Sequence, residues 1–244
     1  HVAHLYYVPD GEALVVGEQA YLRGDEARHA VTVGRLARGQ EILLGDGRGS
    51  LASARASDVS AREVALDVLE LVVHEAPTPE LWLVQALAKG DRDEMAVQAC
   101  TELGVDRVIP WQASRSVSVW KGDKLDKGRA RWQKIVTEAS KQSLRPRVPV
   151  VDTACTTAEL VSLAATHQVV LLDPEAAMPL SGYSPRLDTP VVIVVGPEGG
   201  IDPGERDLLV GAGAIDARLG STVLRTSSAG PAAIAVLNGA LGRW

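Results

Sequence analysis

The chain has only two cysteines, Cys100 and Cys155, and they do not form a CxxC pair. That excludes a disulfide framework and a zinc site of the usual ligand spacing. Cys100, among Val97, Ala99 and Leu103, reads as a buried core thiol. Histidine is also sparse, and His1, His4, His29, His74 and His167 fall into no ligand spacing such as HExxH. No run reaches the ~18 apolar residues that a membrane span needs, and no basic stretch precedes a short apolar segment as in a secretory leader. The expected location is therefore cytoplasmic, with no membrane partner. His1 in place of Met points to an edited start, and no function is placed on it. Glycine-rich nucleotide motifs are missing too. No GxGxxG opens the second half, and Lys89-Gly90-Asp91-Arg92 lacks the glycine spacing of a P-loop. There is no internal repeat and no low-complexity tail.

Positive charge is in deficit. The 25 Lys and Arg residues face 31 Asp and Glu, a net charge of -6, which argues against a generally basic nucleic-acid binder. The deficit is uneven. Residues 1–76 hold seven Arg and twelve acids, whereas residues 89–147 hold thirteen Lys or Arg against eight acids, an excess of five. A phosphate-binding surface needs such a patch; a solvated helix face with paired charges is the plainer alternative.

The 244 residues, 46% of them hydrophobic, suffice for two modest domains or one large one. Up to residue 75, short apolar runs alternate with turn residues. Leu5–Val8, Leu14–Val16, Ile42–Leu44 and Val64–Leu71 read as strands, and Asp46-Gly47-Arg48-Gly49 reads as a hairpin turn leading into Leu51–Ala56. A short helix is expected over Asp25–Thr32, capped by Asp25. This pattern fits a small barrel. Ala76-Pro77-Thr78-Pro79 then reads as a linker.

From Leu81 onward strands alternate with helices, which implies a mostly parallel sheet covered on both faces. Expected strands are Leu81–Ala88, Val105–Pro110, Val148–Val151, Val169–Leu172 and Val191–Val195. Expected helices are Asp93–Leu103, Lys124–Ser143 with Trp132, Ile135, Val136 and Ala139 on one face, Thr157–Ala165, Pro203–Ala212, and a last one to about Leu241. The last helix has no charge before Arg243, so it must be buried in the domain or against a partner subunit.

Three strand-end loops stand out. Val191–Val195, all β-branched, runs into Gly196-Pro197-Glu198-Gly199-Gly200-Ile201, and Asp202-Pro203 then looks like a cap and first helical position. Leu172-Asp173-Pro174-Glu175 is the second loop. Leu219-Gly220-Ser221-Thr222-Val223-Leu224-Arg225-Thr226 is the third, where Thr226 or Ser227 can cap the following helix. In open α/β sheets ligands bind at the carboxyl ends of strands, and glycines there admit a ligand close to the backbone. A tight connection without a ligand is the alternative for any one of these loops.

GPEGG followed by LGSTVLRT, late in the chain, resembles the SPOUT methyltransferases, and most closely the bacterial ribosomal RNA small subunit methyltransferase E family. His29–Leu36 with Gly39, Ile42 and Asp46–Gly49 is similar to that family's PUA-like barrel. Ala88–Arg92 with Thr101–Val105, and Glu138-Ala139-Ser140-Lys141-Gln142-Ser143 with Arg145 and Pro149, match further family blocks. The chain departs from the family where Val2-Ala3-His4-Leu5-Tyr6-Tyr7 lacks an arginine, and where Gly230-Pro231 should shift or kink the start of the last helix.

The resemblance implies an α/β protein: a PUA-like RNA-binding β-barrel over residues 1–75, then a SPOUT methyltransferase domain over 76–244 with a C-terminal trefoil knot. It implies a homodimer that uses S-adenosyl-L-methionine to methylate N3 of a uridine in 16S rRNA, with the small ribosomal subunit as its setting. A SPOUT enzyme acting on a tRNA base or ribose 2′-O, and a non-catalytic RNA-binding assembly factor, remain as alternatives. Leu172, Gly196, Pro197, Glu198, Gly199, Gly200, Leu219, Gly220, Val223, Leu224 and Thr226 would border the cofactor. Arg225 would stabilise developing charge, and Glu198 would be either a base or an organiser of its loop. Lys89, Arg92, Glu138, Lys141, Gln142 and Arg145 would meet the RNA target, with Arg23, Arg28, Arg35 and Arg48 as barrel contacts.

Overall fold

The computed structural model describes residues 4–244, so His1, Val2 and Ala3 and what was expected of them lie outside the described residues. The chain forms two compact units. One comprises the chain up to Ala76 together with Ser140–Val148; the other comprises Pro77–Ala139 and Pro149–Trp244.

The first unit is a curled five-stranded sheet in the order β1-β3-β4-β5-β2. Its strands are β1 (Leu5–Tyr7), β2 (Gln19–Arg23), β3 (Glu41–Gly45), β4 (Ser50–Val59) and β5 (Glu63–Val73). The expected hairpin is present: β3 and β4 pair antiparallel, with Gly45 opposite Leu51. Strand alternation sends Ala20, Leu22, Leu44, Ala54, Val64 and Leu66 into one core. Two local expectations fail. Leu14–Val16 is not a strand, because Val15 and Val16 are exposed and the chain turns at Gly17, whose φ is +85. The strand instead starts at Gln19, in register with β5. The helix α1 (Gly24–Arg28) is not capped by Asp25; Asp25 pairs with Arg28 at 2.7 Å. A single wider helical turn, His29–Val33, follows.

The second unit is a six-stranded, wholly parallel sheet in the order β11-β9-β10-β6-β7-β8. Its strands are β6 (Leu81–Ala86), β7 (Arg107–Trp111), β8 (Val150–Val151), β9 (Gln168–Leu172), β10 (Val191–Val195) and β11 (Ile215–Ala217). The helices are α2 (Arg92–Glu102), α3 (Asp123–Gln142), α4 (Thr157–Thr166), α5 (Pro203–Gly211) and α6 (Thr226–Ala240). All five β10 residues are buried, as a central strand between two helical layers requires. Val192 and Val194 meet Leu160 and Ala164 of α4 and Leu209 of α5. On the other side α6 packs on α2 and the sheet.

Strand β11 was not anticipated: only three residues long, it carries too little pattern to be read. Helix α6 is continuous through Pro231, so no break occurs there. Its apolar character has a source within the subunit, where Ala233, Ile234 and Leu237 are fully buried. A Cβ built on Gly230 would lie 3.1 Å from Leu83 Cδ1 and 3.2 Å from Cys100 Sγ, so glycine allows this close helix–sheet approach. Cys100 is inert core, its thiol pushed up by burial. Among the described residues no helix is long and apolar enough to cross a membrane, and no cluster of His, Cys, Asp or Glu could hold a metal ion.

Candidate cofactor pocket

Strands β11, β9 and β10 are neighbours in the sheet, so their carboxyl ends bring three loops together although they lie far apart in sequence. The result is a cavity of about 1180 Å³. All eleven residues expected to border a cofactor line it, from Leu172 through Gly196–Gly200 to Leu219–Thr226, and Arg225 and Arg92 do so as well.

The GPEGG loop is held from several sides. Thr226, the first residue of α6, does not cap its helix; its hydroxyl donates to the Gly196 carbonyl at 2.8 Å and accepts from Gln85 Nε2 at 2.9 Å. Both residues are buried, and a charge-free bond of this kind is strong where water is excluded. Glu198 Oε1 accepts the Lys89 backbone N–H at 2.6 Å and Arg92 Nη1 at 3.3 Å. Burial pushes the Glu198 carboxyl up, but its own backbone N–H, that of Lys89 and the Arg92 guanidinium together hold it below the ordinary carboxylate range. A carboxylate so engaged is a weak base and an effective anchor. Gly200 takes φ +77 and donates to the Pro197 carbonyl at 2.9 Å, closing the turn. Gly199, unlike Gly200, has no positive φ. As expected, Asp202 caps α5 by accepting from Gly204 at 2.9 Å, and Pro203 is the first helical residue.

The cavity wall is polar in a particular way. Arg206 binds Asp216 and lies 3.4 Å from Asp173 and 3.7 Å from Asp207, and Glu175 stands nearby on the same wall. Arg206 offsets these carboxylates, and Arg92, Arg115 and Arg225 line the same cavity, so the wall carries both signs of charge. A Cβ on Gly220 would meet nothing within 4 Å, so that segment leaves open space for a ligand. Val223 is 78% exposed and Leu224 36%, two apolar side chains on the rim able to cover a flat heterocycle. Arg225 is exposed on the same loop and has no ion-pair partner among the described residues; its carbonyl accepts the first amides of α6.

The other candidates lie elsewhere. Lys89 is exposed beside the GPEGG loop. Glu138 and Gln142 are exposed along α3, and Arg145 is half-buried. In the first unit Arg23 pairs with Glu63, Arg28 with Asp25, and Arg35 is exposed with φ +52. Lys141 is buried, with Nζ 2.7 Å from Glu26 Oε1, so its charge is taken up inside the first unit and is not offered to phosphate. Sequence reading missed Arg115, Arg206 and Asp216, all of which line the cavity. Arg115 stands in the loop that follows β7, and the strand-end rule applied to that strand points to that loop.

Known proteins supply the comparison. A family model described as "RNA methyltransferase domain" matches residues 74–238, and one described as "RNA methyltransferase PUA domain" matches residues 22–69. The chain is 39% identical over 251 aligned positions to a ribosomal RNA small subunit methyltransferase E of Mycobacterium bovis, covering 100% of this chain and 94% of that one. Identity to the protein of that name from Bacillus subtilis is 32%, covering 85% of each. A crystal structure of ribosomal RNA small subunit methyltransferase E from Neisseria gonorrhoeae bound to S-adenosyl methionine superposes with a TM-score of 0.86 at 29% identity, covering 97% of both chains.

Proposed function

The chain belongs to the ribosomal RNA small subunit methyltransferase E family, and on that premise we propose that it transfers the methyl group of S-adenosyl-L-methionine to N3 of a uridine in 16S rRNA. The observation that carries this reading is the convergence of three strand-end loops on one cavity. The donor fits the residues present. Leu172, Val223 and Leu224 would wall the adenine, the main chain of Leu219, Gly220 and Thr226 would hold its edge, and Gly196–Gly200 would border the ribose and methionine part. When bound, the sulfonium supplies an activated methyl group for in-line displacement.

The protein's own work is then alignment and charge stabilisation. The uridine imide is a poor nucleophile while N3 keeps its proton, which would pass to solvent water as the methyl is transferred. Arg225, unpaired at the rim, would stabilise the negative charge that spreads over N3, O2 and O4. Glu198 acts as organiser of the loop, because Lys89 and Arg92 already occupy its inner oxygen. Lys89 and Arg92, with Glu138, Gln142 and Arg145, are the candidates for target contact, and the acidic barrel, through Arg23, Arg28 and Arg35, recognises RNA by local shape more than by broad attraction. A trefoil-knotted C-terminal third, a homodimer and cytoplasmic work on the small ribosomal subunit belong to the same reading.

Mass-spectrometric mapping of methylated nucleotides in RNA from a deletion strain tests it. Loss of one N3-methyluridine from 16S rRNA, restored by the intact gene, is the expected result. Loss of a tRNA base or ribose methyl instead would overturn the substrate assignment.

A further inference from the structure

The Gly199–Gly200 peptide has no side chain on either flank, so steric resistance to its rotation is the lowest in the loop. Its N–H is held by the Pro197 carbonyl at 2.9 Å. Its carbonyl is held by Arg115, whose Nη1 donates at 3.0 Å. Arg115 Nε also lies 3.7 Å from Asp202 Oδ1, the carboxylate whose other oxygen caps α5. The same peptide is therefore pinned at both ends, and one of the pins is a guanidinium from the loop after β7.

That loop is itself rigid. Gln112 closes it on both sides, donating to the Ser118 carbonyl at 3.1 Å and accepting from the Trp120 backbone at 3.1 Å. Ser114 donates its N–H to both Glu205 oxygens at 3.2 Å and its hydroxyl to one of them at 3.0 Å. Trp120 lies over Gly128, where a Cβ would fall 2.5 Å from the indole, and meets Trp132 edge-on at 5.3 Å. Arg115 thus projects from a backbone held on both sides, and its planar guanidinium reaches Gly199 and Asp202 together.

We propose that Arg115 is a positioning residue for methyl transfer: by holding the Gly199 carbonyl it sets the orientation of the Gly199–Gly200 peptide and so the shape of the cofactor pocket floor. This rests on the functional reading above for its ligand, but not for its structural core. Without Arg115 the peptide keeps only its turn bond, and the floor samples a second orientation. Cofactor binding would then have to select one orientation from two. Arg115 acts through Gly199 and is no part of the chemical step.

The test compares the full-length wild-type chain with Arg115→Ala and Arg115→Lys. Exchange of the Gly200 amide, followed by NMR without ligand, should quicken at least tenfold in Arg115→Ala and less in Arg115→Lys; unchanged exchange overturns the proposal. By calorimetry the Kd for S-adenosylmethionine should rise at least tenfold in Arg115→Ala. KM for the cofactor should follow it, kcat at saturating cofactor should fall less than threefold, and the unfolding midpoint should hold. Millimolar guanidinium should restore part of the affinity. A Kd within twofold of wild type, or a lost kcat at unchanged Kd, overturns the proposal. Should the wild-type chain bind no S-adenosylmethionine while the Gly200 amide responds as stated, the functional reading fails and the pinning of the peptide stands.

Discussion

Thr226 and Gly196 stand thirty residues apart in the chain and are joined by a 2.8 Å hydrogen bond from hydroxyl to carbonyl. Gln85 completes the link from a third segment. Thr226→Val keeps the shape and removes the hydroxyl, leaving the buried Gln85 amide and the half-buried Gly196 carbonyl each short of a partner. The expected loss is about 1–3 kcal/mol of stability, read in urea unfolding, with weaker cofactor binding by calorimetry. Thr226→Ser should recover most of both.

The two ends of the GPEGG loop should respond oppositely to added carbon. A Cβ on Gly196 would lie 2.8 Å from Ile201 Cγ1 and 3.1 Å from the Ile201 nitrogen, so Gly196→Ala must displace the loop and should lower the melting temperature. A Cβ on Gly199 makes only ordinary 3.7 Å contacts with Arg115. Gly199→Val should fold normally yet block the cofactor, which thermal unfolding and titration with S-adenosylmethionine would separate.

Glu198 is expected to govern acid sensitivity and not the chemical step. Its carboxyl sits below the ordinary value in the folded chain. Its stabilising contribution is therefore fully present above the unfolded-state value of ~4.3 and is lost as pH falls through the lower folded value. The stability gap between wild type and Glu198→Gln should be constant near neutrality and narrow below about pH 4.3. The effect should shrink with salt, because Arg92 is partly exposed. The pH profile of kcat should keep its shape in Glu198→Gln; loss of the acidic limb would restore Glu198 as the base.

Arg225→Ala removes the exposed cation of the third loop. A group that stabilises only developing charge contributes on the order of 10²–10³ in turnover. Single-turnover rates should fall by that order while the cofactor Kd changes less than threefold. Equal loss of both would make Arg225 a binding residue.

Lys141→Ala should act on stability and leave RNA binding alone. It strips the 2.7 Å partner from Glu26, at a cost of about 1–3 kcal/mol, below the ~3–5 of a fully buried pair because Glu26 is partly open to water. Lys89→Ala should do the reverse, lowering the slope of log K against log salt by about 0.7 for a single-stranded target. Filter-binding titrations at several salt concentrations would distinguish the two.

Much of the fold was legible because periodicity reports burial. Val191–Val195 is a strand with the expected ends, and the Asp202-Pro203 start of α5 follows from side-chain chemistry that acts within one turn. Where a tertiary partner competes with a local one, reading failed. Thr226 has the residue type of a cap but gives its hydroxyl to Gly196. Asp25 fails for a local reason: it lies inside α1 and pairs with Arg28 one turn on. Leu14–Val16 has the composition of a strand but no ladder partner, since β5 pairs with Gln19–Arg23.

Amino-acid order by itself determined most of the strands and helices and the three strand-end loops, because each depends on interactions spanning a few residues. The neighbourhood of β11, β9 and β10 that gathers those loops into one cavity was decided only by the tertiary structure. So were the clamping of Gly199 by Arg115, the anchoring of Glu198 by Lys89 and Arg92, and the withdrawal of Lys141 into a pair with Glu26. Each of these joins segments tens of residues apart, and no local pattern encodes which distant partner a charge or carbonyl will meet.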